Sequence, residues 1–343
     1  MGRLPEKNKF IGLMTSPRRR HMALGKRIAL FMLFAGLCLP AAMAQQRPQY
    51  TQYMVNPFLL NPAVAGTEDF TDTRAGYRKQ WAGFEGSPRT MFVSAHTNIG
   101  RDFVLNSRTR KKRRGYHGLG AVVTNDAIGP TTTTVLNLAY AYHLRVSNTL
   151  FASMGIMGGI QQYSLDGNKL YATNPGDPLI TSYKNSSLAD VNTGFWLYSD
   201  KFYVGGSLIQ IMPQRLYSQQ EKAISKGKLA QHYFITAGYK IPMGSDFSFI
   251  PSVMIKSVLP SPVSFDLNAK IRYGDLVWAG VSYRNTDAIA VMAGIIINST
   301  FELSYSYDYT TSDIRVASGG SHEVVVGYRL RKRTQLVCPS HFW

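Results

Sequence analysis

From about residue 70 onward the chain alternates apolar and polar residues with a period of two. In PVSFDLNAKIRYGD, Phe265, Leu267, Ala269, Ile271 and Tyr273 share one face while Ser264, Asp266, Asn268, Lys270 and Arg272 share the other, because successive side chains of a strand point to opposite sides. TFELSYSYDY repeats the design, with Phe301, Leu303, Tyr305, Tyr307 and Tyr309 opposite Glu302, Ser304, Ser306 and Asp308. Earlier, Leu136, Leu138, Tyr140, Tyr142 and Leu144 make a similar stripe; later, Val324, Val326, Tyr328 and Leu330 oppose Glu323, Val325, Gly327 and Arg329. Cut at its turn signals, the chain predicts strands at 72–80, 88–98, 117–126, 131–145, 148–163, 188–198, 201–210, 230–242, 245–257, 262–273, 275–285, 287–297, 299–309 and 320–331. After residue 44 no segment has the roughly eighteen uninterrupted apolar residues of a membrane helix.

What the apolar stripe meets decides the fold. Long strands with aromatic-rich apolar faces, and charges confined to the opposite face, are the pattern of a barrel with lipid outside and a polar lumen inside. A soluble β-sandwich is the alternative, since alternation alone does not distinguish lipid from a second sheet. Closure removes the strand edges that lipid cannot satisfy, and an even count returns both ends of the chain to one side. The expected fold class is all-β: a transmembrane outer-membrane β-barrel of about 14 antiparallel strands, with an N-terminal extended segment. Loop lengths orient it. Val146–Asn148, Ser199-Asp200, Met243-Gly244, Gly274-Asp275 and Asn298-Ser299 are tight, whereas 164–187 and 211–229 are long, and such barrels keep their short turns in the periplasm. The exception is 99–116, long on the short-turn side and carrying Arg108, Arg110, Lys111, Lys112, Arg113 and Arg114. Across the lumen, Glu302 and Asp308 are expected to face Lys270 and Arg272.

Composition changes this picture little. Of 343 residues, 45% are hydrophobic, 12% aromatic and 17% charged, with 20 tyrosines, and Tyr, apolar at one end and wet at the other, suits a membrane interface. The net charge of +18 invites a nucleic-acid reading. However, residues 1–44 hold eight Lys/Arg and one acid, leaving 30 basic against 19 acidic residues, or +11. Part of that remainder lies in the runs Arg108–Arg114 and Arg329–Arg333 rather than in a stripe with stacking aromatics. No nucleic-acid partner is expected.

Export is written at the start. Arg18–Arg20 and Lys26-Arg27 precede the apolar run Ile28–Leu39, Pro40 and the small-residue site Ala42-Met43-Ala44, which together read as a cleaved signal peptide. Met22 is a candidate initiator, since the signal has ordinary proportions when counted from there. Cys38 follows Leu37 rather than the small residue of a lipoprotein site, and beyond the signal only Cys338 remains, so no intrachain disulfide is expected. The expected organisation is a signal peptide at 1–44, an extended plug or lid at 45–70, the barrel at 71–331 and a periplasmic tail at 332–343.

Catalysis is not expected. The later histidines, His96, His117, His143, His232, His322 and His341, form no metal-spaced pair, and no Gly-x-Ser-x-Gly elbow occurs. Partial triads drawn from His143 with Asn137, or His322 with Ser321 and Glu323, are weak because adjacent strand positions face opposite ways. No cofactor or metal is expected. Gly-Gly pairs at 158–159, 205–206 and 319–320 read as strand bends or small-residue packing.

Two motifs remain. PQYTQYMVNPFLLNPAVAGT is an extended segment broken by Asn-Pro turns, followed by YRKQWAGFEGSPRT and, near the other end, by SYDYTTSDIRVASGGSHEVVVGYRL. Carried by Gln52-Tyr53-Met54, Asn56-Pro57, Asn61-Pro62-Ala63, Ala65-Gly66, Tyr77-Arg78, Gln80-Trp81, Gly83-Phe84, Gly86, Pro88, Tyr307-Asp308 and Gly319-Gly320 through His322 and Glu323, the sequence resembles the PorP/SprF family of type IX secretion system membrane proteins of the Bacteroidetes lineage. Val64 departs from an aromatic common there, and 108–114 looks like an insertion. The resemblance implies an outer-membrane accessory component that helps export or retain a cargo protein with a C-terminal sorting domain, gliding adhesins included, alongside the type IX secretion apparatus. It assigns no cargo-binding residue. The Asn-Pro segment reads either as a plug at the periplasmic mouth or as a cargo contact, and Trp81 with Phe84 as interfacial aromatics. Residues 108–114 read either as a solvated run or as a dock for an acidic periplasmic partner or lipid headgroups. A passive or selective outer-membrane channel is the alternative function, suggested by lumen charges at Asp266, Lys270, Arg272, Arg284, Glu302 and Asp308.

Overall fold

The computed structural model describes residues 47–101, 115–169, 184–212, 230–258, 261–285 and 287–331. Two sequence expectations, the signal peptide at 1–44 and the basic residues Arg108–Arg114, lie outside the described residues, as do Lys332 and Arg333. Strands run in chain order: β1 Phe70–Lys79, β2 Arg89–Ile99, β3 Gly115–Ile128, β4 Thr131–Arg145, β5 Phe151–Leu165, β6 Lys184–Tyr198, β7 Phe202–Ile209 and β8 His232–Tyr239. They continue with β9 Ile241–Met243, β10 Phe247–Val258, β11 Ser264–Tyr273, β12 Val277–Arg284, β13 Ala288–Ile297, β14 Phe301–Thr310 and β15 Ser321–Arg331. Neighbours in sequence pair antiparallel, and β15 returns to β1 with Phe70 opposite Arg331 and Lys79 opposite His322. The sheet is therefore a closed ring.

Fifteen segments make fourteen staves, because β8 and β9 are one strand with a break. Both pair with β10 in an unchanged register, Ser252 opposite Gly238 and Phe249 opposite Ile241. Pro251, which has no N–H to give the ladder, lies in the gap.

Burial separates membrane barrel from sandwich. On β11, Leu267 and Ile271 are each 49% exposed while Asp266 and Lys270 are 0% and 3% exposed. The same inversion holds on β14, where Phe301, Leu303, Tyr305 and Tyr309 face out and Glu302, Ser304, Ser306 and Asp308 are buried. A soluble sandwich would bury the apolar stripe. An apolar exterior around a polar-lined interior is what lipid demands of a barrel.

One end of the ring carries tight turns. Asn298 and Ser299 both take positive φ, 52° each, and the Thr300 N–H donates to the Ile297 carbonyl, so a type I′ hairpin matches the twist of β13 and β14. This turn end also holds the links 244–246 and 274–276, and the link between β2 and β3. The opposite, loop end carries 80–88, 166–183, 210–231 and 311–320. Not every connection there is long: only Gly129 and Pro130 separate β3 from β4.

Candidate functional site

The site is the lumen, and the segment that fills it comes from the N-terminal motif. Asn56-Pro57 and Asn61-Pro62 each begin a single 3-10 turn, Pro57–Leu59 and Pro62–Val64, since proline's fixed φ suits a first helical position and its missing N–H costs nothing there. The Asn61 side chain caps its own turn, accepting from the Ala63 N–H at 2.9 Å. Its amide group meanwhile donates to the Phe195 and Gly206 carbonyls on β6 and β7. Asn56 does not cap; it donates to Ser94 Oγ on β2 at 2.8 Å. Gly66, at φ 84°, ends the segment where a Cβ would lie 2.7 Å from the Gly118 Cα.

Rather than sitting at one mouth, the segment passes through the ring. Near the loop end, the Thr51 and Gln52 N–H groups donate to the Glu323 carboxylate at 2.7 and 3.1 Å, and the Thr51 hydroxyl donates to Asp308. In the middle, Asn268 donates to the Tyr53 hydroxyl. Toward the turn end, the His143 Nε2–H donates to the Ala65 carbonyl at 2.7 Å, which leaves Nδ1 to accept from the Tyr198 hydroxyl. Wall glycines make room: a Cβ on Gly118, Gly155 or Gly194 would strike Ala65, Pro62 or Asn61 respectively.

Around the segment the lumen is not uniformly polar. Phe58, Ala63 and Val64 pack with Tyr116, Phe151, Trp196 and Tyr203, and Tyr53, Met54 and Val55 pack with Phe234, Met254, Trp278 and Met292. The hydrophobic core lies inside the barrel, built around the segment.

Arg78, 1% exposed, joins the two motif ends: its guanidinium pairs with Asp308 at 2.7 Å and Glu323 at 3.2 Å and also donates to Thr51. Beside it, Arg284 lies against Asp266, Asp287 and Asp308, and Lys256 pairs with Asp266. A second cluster near the turn end joins Arg74, Asp72, Glu302 and Arg329. The ion-pair partners of Glu302 and Asp308 are thus arginines of β1 and β15, with Arg284 of β12 farther off at 3.8 Å, rather than Lys270 and Arg272, which were expected to face them. Lys270 sits over the Trp278 ring, and Arg272 pairs with Asp275 at its own turn. Strand order decides this: β15 pairs with β14, and the closure pairs β1 with β15, so β1 lies next but one to β14 and its inward arginines reach the carboxylates of β14.

The hairpin 80–88 is pinned at the loop end. Ala82 exchanges backbone hydrogen bonds with Gly319 and Gly320, and the Gly129 N–H donates to Gly86. Gly83, Gly86 and Gly320 all take positive φ, as does Trp81 at 51°. The Trp81 N–H donates to Ser321 Oγ, and Phe84 projects outward, 48% exposed. His322 points to the outer wall, hydrogen-bonded to Tyr305, while Ser321 and Glu323 point inward. Asn137, the other partial-triad residue, donates to Asp190. Neither the His143–Asn137 pair nor the His322 trio converges.

Between the segment and strands β2 to β8 lies a cavity of about 570 Å³. Leu59, Leu60, Val122, Met157, Ile209 and Phe234 supply its apolar surface. Thr90, Thr124, Thr133, Asn137, Gln161 and Gln210 supply hydroxyls and amides. Of these cavity residues the sequence pointed only to Asn137, as a partial-triad candidate, and to Leu59 and Leu60, as part of the N-terminal motif; the others and the wall glycines were not singled out. The glycines carried a signal, since a glycine at an inward position of an alternating strand marks close backbone approach.

The profile of the family described as type IX secretion system membrane protein PorP/SprF matches residues 42–328. No curated protein matches the chain. Among solved structures, the toluene transporter TbuX of Ralstonia pickettii is similar at 8% identity and TM-score 0.47, covering 80% of this chain and 92% of that one. The CymD monoaromatic hydrocarbon channel stands at 12% and 0.48, covering 82% and 94%. The translocator domain of the autotransporter NalP from Neisseria meningitidis stands at 11% and 0.40, covering 90% and 98%. None of these likenesses carries a function across.

Proposed function

The chain belongs to the PorP/SprF family of type IX secretion system membrane proteins, and from that premise we propose that it binds a secreted cargo protein at the outer membrane, retaining it or helping its export. The observation that carries this reading is the N-terminal segment, which ties β2, β4, β7, β11 and β15 together from within. A lumen occupied along its length favours partner docking over a free conduit for solutes. The cargo is expected to present a C-terminal sorting domain, and residues 108–114 to meet the secretion apparatus on the periplasmic side.

Two measurements test it. In planar bilayers the protein is expected to show no steady small-solute conductance, and from native membranes it is expected to co-purify with a secreted cargo. Steady conductance without cargo retention would favour the channel. Deleting 108–114 is expected to reduce co-purification of the apparatus while leaving barrel assembly intact; unchanged co-purification removes the docking role.

A further inference from the structure

Beside the cavity, in contact with its lining residues Arg47, Asn137 and Asn192, the Asp190 carboxylate forms a seat for a cation, and the Arg47 side chain fills it. Asp190 Oδ2 accepts from Arg47 at 2.9 Å, from Asn137 at 2.6 Å and from Asn192 at 2.9 Å. Asn192 is fixed in turn, its Oδ1 accepting from the Gln210 N–H, and Gln210 donates on to Gln161. The carboxylate is 1% exposed, whereas the Arg47 side chain is 22% exposed. Asp190 Oδ1 and Asn137 Oδ1 are buried and lack hydrogen-bond partners, so the seat holds more acceptor capacity than Arg47 uses.

The segment's first described residues, Arg47 to Tyr50, line the same cavity. This wall therefore already accepts an extended peptide with one cationic side chain. Its chemistry suits that occupant, since amides and hydroxyls at Thr133, Asn137, Gln161 and Gln210 match backbone N–H and C=O groups, while Val122, Met157 and Phe234 offer apolar contact. A buried carboxylate distinguishes a cationic peptide from a neutral apolar solute.

We propose that this cavity is a peptide-receiving site, and that Asp190 with Asn137 and Asn192 takes an arginine or lysine from an extended segment of a secreted protein in the place Arg47 holds. The identity of that peptide as cargo rests on the function proposed above; the site itself does not. Arg47 is then a tethered stand-in, displaced when the partner arrives.

The test uses the purified full chain and a fluorescent peptide spanning residues 45–51, with a second peptide carrying alanine in place of its arginine. The Arg47→Ala variant is expected to bind the arginine peptide at least tenfold more tightly than the alanine peptide, and adding Asp190→Asn to erase that ratio. Equal affinity for the two peptides, or a ratio that survives Asp190→Asn, overturns the proposal and reduces the Arg47–Asp190 pair to an internal clamp. Should the double variant fail to assemble, Arg47→Ala with Asn137→Ala reads the same seat, and an undiminished ratio overturns the proposal equally. Cargo co-purification is scored separately. Cargo retained without peptide discrimination sinks the site and spares the cargo reading, whereas discrimination without cargo does the reverse.

Discussion

The two sides of the ring meet the inner segment in different ways. On the side formed by β11 to β15 and β1, strands of 8 to 11 residues carry the buried charges, and Arg78, Arg284, Asp308 and Glu323 lie against Gln49, Thr51 and Gln52. On the other, β3 to β6 run 14 or 15 residues, and their inner face toward the loop end bears mostly threonines, amides and apolar side chains around the cavity, with Asp126 and Asp190 as its buried carboxylates. Charges desolvated together demand exact partners, so the first wall grips the segment. The second wall is mostly neutral and leaves space beside the segment, holding it through one ion pair, Arg47 with Asp190. Locking and receiving are divided between the two sides of one barrel.

Breaking the charged wall should have the largest effect. Arg78→Met leaves Asp308 and Glu323 without their shared guanidinium, and removing one member of a buried ion-pair network costs about 3–5 kcal/mol. The expected outcome is a clear drop in the temperature at which the folded band on a semi-native gel is lost. An unchanged temperature would mean that the wall does not lock the segment. Gly118→Ala probes the turn end, where the new methyl group strikes the Ala65 carbonyl. Overpacking of this kind costs about 1–3 kcal/mol, and the segment should become accessible to protease; continued resistance would show that Ala65 has room to move. The smallest effect belongs to the cavity wall. Thr133→Val is expected to change stability by no more than about 0.5 kcal/mol, and a loss comparable to that of Arg78→Met would abolish the contrast between the two sides.

Strand positions were legible because the period of two repeats through nearly every stave, and the inward or outward sense of Asp266, Glu302, Leu267 and Leu303 followed directly from parity. The break in the β8/β9 stave was not read, although Pro251 lay in plain view, because its effect falls on the neighbouring strand. The carboxylate partners were misread for a related reason. Parity says which face a charge is on, but pairing depends on register and closure, and these placed β15 beside β14 and β1 next to β15.

By itself the sequence determined antiparallel strands with one apolar and one polar face, and made a closed barrel in lipid the expected fold because lipid cannot satisfy an open strand edge; burial in the folded ring decided that the apolar face is the outer one. The sequence also determined where the Asn-Pro segment turns, because proline and its preceding residue act locally. Only the tertiary structure decided that this segment threads the lumen and supplies part of each of the two clusters of an interior core. Inward residues such as Phe92, Met157, Trp196 and Met292 look unremarkable along any one strand; their purpose emerges when fourteen staves bring them around a single shared filling. The Arg47–Asp190 seat is of the same kind, two residues 143 apart in sequence whose meeting no local pattern announces.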